Sequence, residues 1–303
     1  MEKNHPLRPF RFGVVSAFAR SADEWLARAR RIESLGYATL LIPDNLQHTL
    51  APLAALATAA AATRTLRVGS YVLVNDFRHP LLLAKDAASL DVLSGGRLEI
   101  GLGAGRPGFE AEMAMLGKQV DSGAVRVARL GESLRILKSL LTGEPVTATG
   151  GHYTMAEGRI SPLPLQQPRP PILVAGSGPH LLRLAAREAD IIALGLPPDA
   201  SEDTAAERIG WIREAAGERF ADIELNLNLM AVADQVPRWI SGQLGLDAAA
   251  LAERGSVAAV LGSTEQMCEQ LLRRRERLGI SYLVVSDEFI DLFAPVVERL
   301  AGR

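Results

Sequence analysis

The chain has 303 residues, 48% of them hydrophobic and 22% charged, which is ordinary for a globular protein. A net charge of −2 gives no pull toward nucleic acid or an anionic membrane surface, so neither is expected as a partner. The single cysteine, Cys268, excludes an intramolecular disulfide and a cysteine-rich metal site, and packing is its expected role.

Met1–Phe10 is polar, carries proline and lacks the apolar stretch of a signal peptide. The longest apolar runs, such as residues 50–62, are too short to cross a bilayer, and a cytoplasmic protein is expected. Residues 11–17 read as a first strand. Ser21 and Glu24 have capping-box spacing, and Trp25, Ala29, Ile32 and Leu35 keep one helical face up to Gly36. A second strand spans 39–43 and runs into Asp44 and Asn45, before an Ala-rich helix over 50–62. A third strand covers 66–74, and Pro80 opens a helix that Gly95 ends.

The fourth strand lies in Gly96–Arg106, where Leu98, Ile100 and Leu102 alternate with Glu99, Gly101 and Gly103. Glycine inside a strand marks a place where something approaches the backbone. Here that is a flat cofactor ring or another segment of the chain.

Residues 125–141 form the next helix, and 142–171, with six prolines, an excursion. Strands over 172–175, 190–194, 223–232 and 280–285 alternate with helices over 179–188, 202–216, 263–278 and 287–300, with a second excursion over 233–261. No internal repeat or composition break divides residues 1–303. Eight strands alternating with helices predict one (β/α)8 TIM-barrel domain, with an open doubly wound sheet as the alternative.

In such a barrel the site lies at the strand C-terminal ends. Those ends hold Ser16, Asp44, Asn45, Asn75, Gly103–Arg106, Gly176–Gly178, Asn228, Ser286 and Asp287. Gly176-Ser177-Gly178-Pro179 joins a strand to a helix start, where backbone N–H groups and the helix dipole suit an anion such as phosphate; a tight turn with Ser177 as helix cap is the plainer reading. Gly103-Ala104-Gly105-Arg106-Pro107-Gly108 fits a dinucleotide fingerprint by letter only. Three strands precede it and no acidic strand end follows, so nicotinamide binding in that mode is rejected. The five histidines have no metal spacing, and no metal is expected. His48 stands at the expected rim, and Asp44 either accepts a hydrogen bond from a cofactor or caps its loop.

Tyr37-Ala-Thr-Leu-Leu-Ile-Pro-Asp44, Leu66–Val74 with Arg78-His-Pro80, Leu90–Gly105 and Pro171–Pro179 together resemble the bacterial luciferase-like superfamily. Within it they are most similar to the branch of deazaflavin (coenzyme F420)-dependent oxidoreductases. The likeness covers nearly the whole chain, in order. It implies a luciferase-like (β/α)8 barrel with insertions after strands four and seven, and a homodimer formed through the second and third helices. It further implies coenzyme F420, or FMN as the alternative, lying across the strand C-termini with its phosphate on Gly176, Ser177 and Gly178. Members often carry a non-proline cis peptide in a bulge of strand three, here near Ser70-Tyr71-Val72, which would back the ring opposite Gly103, Ala104 and Gly105. Asn75 would help hold the ring, and Asp44, Asn45 and Ser16 would hydrogen-bond ring or substrate. These four are the candidate catalytic positions.

Two positions depart from the family. Many deazaflavin reductases have His where Asn45 stands, and its sugar-phosphate dehydrogenases carry a Glu where Arg106 stands. Both losses argue against an oxidation needing a general base. They favour hydride transfer to a small unsaturated substrate, an activated C=C or C=N bond. Arg106 either binds substrate charge or lies on the surface. An FMN-dependent monooxygenase and a non-catalytic flavin-binding barrel are the alternatives.

Overall fold

The computed structural model describes residues 7–106 and 108–303. The start of the N-terminal segment and Pro107 of the glycine-rich turn lie outside the described residues. β1 (Arg11–Val15) leads to α1 (Ala22–Ser34), whose Ser21 side chain accepts from the Glu24 N–H. β2 (Thr39–Ile42) and α2 (Pro52–Ala62) follow. The third barrel strand comes in two pieces, β3 (Arg67–Ser70) and β4 (Leu73–Val74), before α3 (Pro80–Ser94). β5 (Leu98–Gly103) is the fourth barrel strand, followed by α4 (Glu110–Met115) and α5 (Gly123–Leu141). A hairpin of β6 (Val146–Thr149) and β7 (Thr154–Gly158) precedes β8 (Ile172–Gly176) and α6 (Pro179–Glu188). β9 (Ile191–Leu194), α7 (Glu202–Ala216) and β10 (Glu224–Asn228) come next. β11 (Ala231–Val232), α8 (Arg238–Leu244), α9 (Ala248–Glu253) and β12 (Ala259–Val260) form the insertion after the seventh barrel strand. α10 (Thr264–Leu278), β13 (Ile280–Ser286) and α11 (Ile290–Leu300) complete the chain.

Every pairing in the main sheet is parallel, in the order β3-β2-β1-β13-β10-β9-β8-β5-β4, and a β3–β5 pairing closes the cylinder. The expected eight-stranded barrel is therefore present and the open sheet is excluded. Among the described residues no helix is long and apolar enough to cross a membrane.

Two expected boundaries move. Strand three is interrupted by a cis Tyr71–Val72 peptide, at the place the resemblance implied. Strand seven stops at Asn228. Beyond it, Leu229 donates to the Val284 carbonyl at 2.7 Å and Met230 to the Ala258 carbonyl at 2.6 Å, so the chain peels away and β11 pairs with β12. The proline-rich excursion over 142–171 lies mostly against α3, where Lys85 reaches the Ser161 carbonyl and the Asp91 carboxylate accepts from the Leu165 and Gln166 N–H groups at 2.8 and 3.0 Å. Tyr153 of its hairpin reaches Asn75 at the mouth. The stretch carrying α4 is the other part of this insertion that reaches the mouth.

The apolar core has two parts. One fills the space between barrel and helices. The other fills the bore with Leu41, Leu173, Ile191, Ala193, Tyr282 and Val284, so the cylinder is packed and not a channel. Its N-terminal end is closed by ions: Arg11 and Arg67 meet Glu99 at 2.5 and 2.6 Å, Arg11 meets Glu224 at 2.6 Å, and the Arg11 guanidinium lies 3.6 Å from the Tyr282 ring centroid. Burial opposes a charge on Glu99, but the two guanidiniums outweigh it and hold its carboxyl below the usual range. The closed end is thus sealed by paired charges, and the open end is left for chemistry.

On the outer surface Glu33 gathers the N–H groups of Arg64, Thr65 and Leu66 at 2.8, 2.7 and 3.0 Å, fixing the turn into β3. Partial burial disfavours its charge, but the N–H groups of Thr65, Leu66 and Arg64 and the Thr65 hydroxyl lower its carboxyl from 4.5 to about 2. A carboxyl lowered on folding contributes stability above its unfolded value and loses it as the pH falls. Glu33→Gln is expected to cost about 1 kcal/mol at neutral pH. It should also flatten the fall in melting temperature between pH 4.5 and about 2, read from thermal melts across that range.

Candidate active site

The bulge in strand three governs the mouth of the barrel. Ser70 donates its hydroxyl to the Gly101 carbonyl at 2.9 Å and accepts from the Gly101 N–H at 2.9 Å, binding β3 to β5. The Ser70 carbonyl comes so close to Gly101 that a Cβ there would collide with it, and a Cβ on Gly103 would lie 2.8 Å from Val72 Cγ2. What approaches these glycines is therefore the bulge itself. The choice left open by the sequence, ring or chain segment, falls to the chain at 101 and 103.

With the bulge seated there, Tyr71 and Val72 pack on top of the bore beside Val15 and Ala175. The Tyr71 hydroxyl donates to Asn226 Oδ1 at 2.8 Å, and burial holds the phenol protonated well above its ordinary range. Ala175 continues this layer on the neighbouring strand, over Ala193 of the bore, and Gly195 follows the end of β9 beside Gly176. The result is a floor of Tyr71, Val72 and small apolar groups.

At the rim beside that floor, Gly195 donates to the Gly176 carbonyl at 2.9 Å, and a Cβ on Gly176 would collide with Leu181. The residue capping α6 is Gly178, and no side chain accepts from the first turn. Ser177 is not the helix cap, which removes the plainer reading of this motif. The start of a ten-residue helix is left half-exposed beside the floor, with its dipole positive end outward. Arg208 of α7 donates to the Ser177 carbonyl at 2.8 Å, bringing a cation behind the loop, with its guanidinium 4.4 Å from the Trp211 ring centroid.

The other candidate residues are brought to the same mouth, but most are engaged. Ser16, fully buried, donates to Asp287 Oδ2 at 2.7 Å and accepts from Arg28 at 2.9 Å. Asp44, 5% exposed, takes both guanidinium nitrogens of Arg78 and the Val74 N–H at 3.0 Å. Asn45 spends its side-chain oxygen on the N–H groups of Gln47 and His48 at 2.8 and 2.9 Å, shaping its own turn, and the His48 side chain is exposed. Asn75 donates to the Tyr153 hydroxyl at 3.0 Å and to Asp76 at 3.3 Å. Ala104 and Gly105 offer their carbonyls to Arg126 at 2.6 and 3.3 Å, and Gly105 has a φ of +92° with Phe109 where a Cβ would stand. Arg106 is no free surface arginine. It pairs at 2.6 Å with Glu112, 3% exposed, whose other oxygen accepts from the Leu46 N–H at 2.8 Å.

Arg28, Glu112, Tyr153, Arg208 and Asn226 were not found from the sequence. Each has at least one partner more than 30 residues away along the chain or in a separate loop, and no motif spacing marks it. Arg78 alone carried a signal, since it stands in the quoted Arg78-His-Pro stretch. Among the described residues no group of three or more His, Cys, Asp or Glu side chains could hold a metal.

A closed parallel barrel with an open C-terminal mouth defines the (β/α)8 class. The profile of the family described as luciferase-like monooxygenase matches residues 9–238, and the chain belongs to that family. A relative from Beutenbergia cavernae named F420-dependent glucose-6-phosphate dehydrogenase is 30% identical over 230 residues, 73% of this chain and 67% of the relative. The oxygenase component of a flavin-dependent trigonelline monooxygenase from Acinetobacter baylyi is 32% identical over 173 residues, 57% of this chain and 46% of the relative. The coenzyme F420-dependent tetrahydromethanopterin reductase of Methanopyrus kandleri superposes with a TM-score of 0.77 over 96% of this chain and 99% of that one at 17% identity, sharing the fold.

Three substitutions probe this geometry. Gly101→Ala forces a methyl group into the Ser70 carbonyl and is expected to lower the melting temperature in a calorimetric scan by about 5 °C, on the order of 2–3 kcal/mol. Gly210→Ala, in open space on α7, is expected to raise stability by about 0.5–1 kcal/mol in the same calorimetric scan. Asp44→Ala, which leaves Arg78 and the Val74 N–H without their acceptor, is expected to cost about 2 kcal/mol in urea unfolding.

Proposed function

We propose that this chain is an oxidoreductase that uses reduced deazaflavin, coenzyme F420, to reduce an activated C=C or C=N bond in a small substrate. The single observation carrying this reading is the pairing of a side-chain-poor floor with an uncapped helix start on the adjoining strand, a shape suited to a flat ring with a phosphate tail. The relatives named as F420-dependent support the choice of cofactor. Tyr71, Val72 and Ala175 are the floor on which the ring would rest, with Gly103 beneath Val72. Gly176, Ser177 and Gly178 would take the phosphate, with Arg208 adding positive charge behind them. When bound in its reduced form the cofactor supplies a hydride to the acceptor carbon, and a proton from water completes the two-electron reduction.

The protein's own part in this scheme is binding and orientation. The carboxylates buried or half-buried at the mouth are all held by arginines: Asp44 by Arg78, Asp76 by Arg129, Glu112 by Arg106 and Asp287 by Arg28. A carboxylate fixed by a guanidinium is a poor general base. This favours reduction of an activated bond over oxidation of an alcohol.

A second reading, an FMN-dependent monooxygenase, is favoured by the flavin-dependent relative. Fluorescence titration with F420 and with FMN separates the two, and F420 is expected to bind selectively at micromolar concentration. Selective FMN binding, with oxygen incorporated into product under air and no anaerobic reduction, would reverse the assignment. Gly178→Asp tests the phosphate cradle by opposite signs. A carboxylate at the cap strengthens α6 by a few tenths of a kcal/mol and repels an anion. The variant is expected to melt no lower than wild type and to bind F420 at least tenfold more weakly.

The same proposal includes a homodimer through α2 and α3. Leu82 and Leu93, 63% and 73% exposed, stand three helical turns apart on one stripe of α3. Replacing both by lysine should convert a dimer to a monomer in analytical ultracentrifugation.

A further inference from the structure

Several large apolar side chains are exposed on the mouth loops. Phe18 (56%) follows the first barrel strand and Leu46 (45%) the second. Met115 (57%) and Leu116 (42%) lie in the insertion after the fourth, and Trp239 (44%) and Leu244 (49%) in the insertion after the seventh. Single exposed hydrophobics need no explanation, whereas a connected set does.

Specific contacts connect these. The Leu46 N–H donates to Glu112 on α4, and Met115 and the C-cap residue Leu116 stand three and four residues further along the chain. Leu50, at the end of Leu46's loop, donates to the Ala17 carbonyl at 3.1 Å, beside Phe18. The Phe18 carbonyl accepts from Arg28 at 2.7 Å, and Arg28 also holds Asp287 in the loop after the eighth strand. Glu288 of that loop faces Arg238, next to Trp239, at 3.6 Å. The ties run in order through the loops after strands seven, eight, one, two and four. In a ring of eight strands the first is opposite the fifth, so the middle of this arc, the loops after strands eight, one and two, faces the Gly176–Gly178 cradle across the mouth, and its two ends flank the cradle. A molecule anchored by a phosphate at that cradle presents its far edge to the arc.

Most of the charges nearby are already spent. Arg78, Arg106 and Arg129 hold carboxylates, while Arg126 and Lys118 hold carbonyls. Among the described residues of these loops, the Arg20 side chain makes no hydrogen bond, and Arg238 is 95% exposed.

We propose that the substrate side of the mouth takes a neutral, hydrocarbon-rich acceptor, such as an alkyl-substituted cyclic enone, and not an anionic sugar. This rests on the function proposed above and names its substrate class. In the reaction the hydride from the reduced deazaflavin would form the new C–H bond at the β-carbon, the C=C π pair would shift to join the α-carbon and the carbonyl carbon, the C=O π pair would pass to oxygen, and water would protonate the resulting enolate at the α-carbon.

The test is a series of 4-alkylcyclohex-2-enones from methyl to hexyl, measured by fluorescence quenching without cofactor, with W239F identifying the part of the signal that belongs to Trp239, and by kcat/KM with F420. Affinity is expected to rise about threefold per methylene. The exposed-site double variant M115S/W239S should flatten the rise in kcat/KM. A flat series, competition by glucose 6-phosphate at equal concentration, or a change of sedimenting mass in the double variant, which would make the arc a subunit contact, overturns the proposal. The fluorescence arm does not need cofactor, so loss of F420 binding with a steep series retained counts against the proposed function alone.

Discussion

The architecture of the mouth depends on one close approach, that of the Ser70 carbonyl to Gly101. Only glycine permits it, because any Cβ at 101 would occupy the same space as that oxygen. The hydroxyl of Ser70 fixes the approach with two hydrogen bonds to the same residue. Once β3 is held there, Tyr71 and Val72 turn over the bore, and the top of the barrel becomes a floor instead of a continued row of alternating side chains.

Opposite ends of the cylinder solve different problems. The closed end buries Glu99 between Arg11 and Arg67, where the attraction of two cations offsets the desolvation of one anion. The open end also contains charges, but they are paired sideways, loop to loop, by arginines that brace Asp44, Glu112 and Asp287. That bracing ties up the carboxylates around the mouth. A flat ring seated there would meet positioned backbone and few mobile charges, which suits a cofactor that carries its own reactivity.

The glycines show why some of the site was legible and some was not. Gly101, Gly103 and Gly176 declare a close approach at sequence level because only a missing side chain tolerates one. They do not declare what approaches. At 101 and 103 it is the neighbouring strand, and at 176 it is Leu181. Ser70 was picked out as a ring contact, yet its hydroxyl is consumed by Gly101. Glu112 was missed because its two partners, Leu46 and Arg106, are assembled from separate loops and obey no fixed spacing.

From sequence alone, strand–helix alternation defined the eight-stranded barrel, since hydrophobic period and turn residues are local properties of the chain. The glycine-rich strand and the Gly176–Gly178 turn were determined the same way. Tertiary structure alone decided which hydroxyls and carboxylates are free, that most of the proline-rich segment packs outside against α3, and that four loops carrying exposed apolar side chains are tied into one arc. Those outcomes depend on which distant segments meet when the cylinder closes, and a linear pattern holds no record of that meeting.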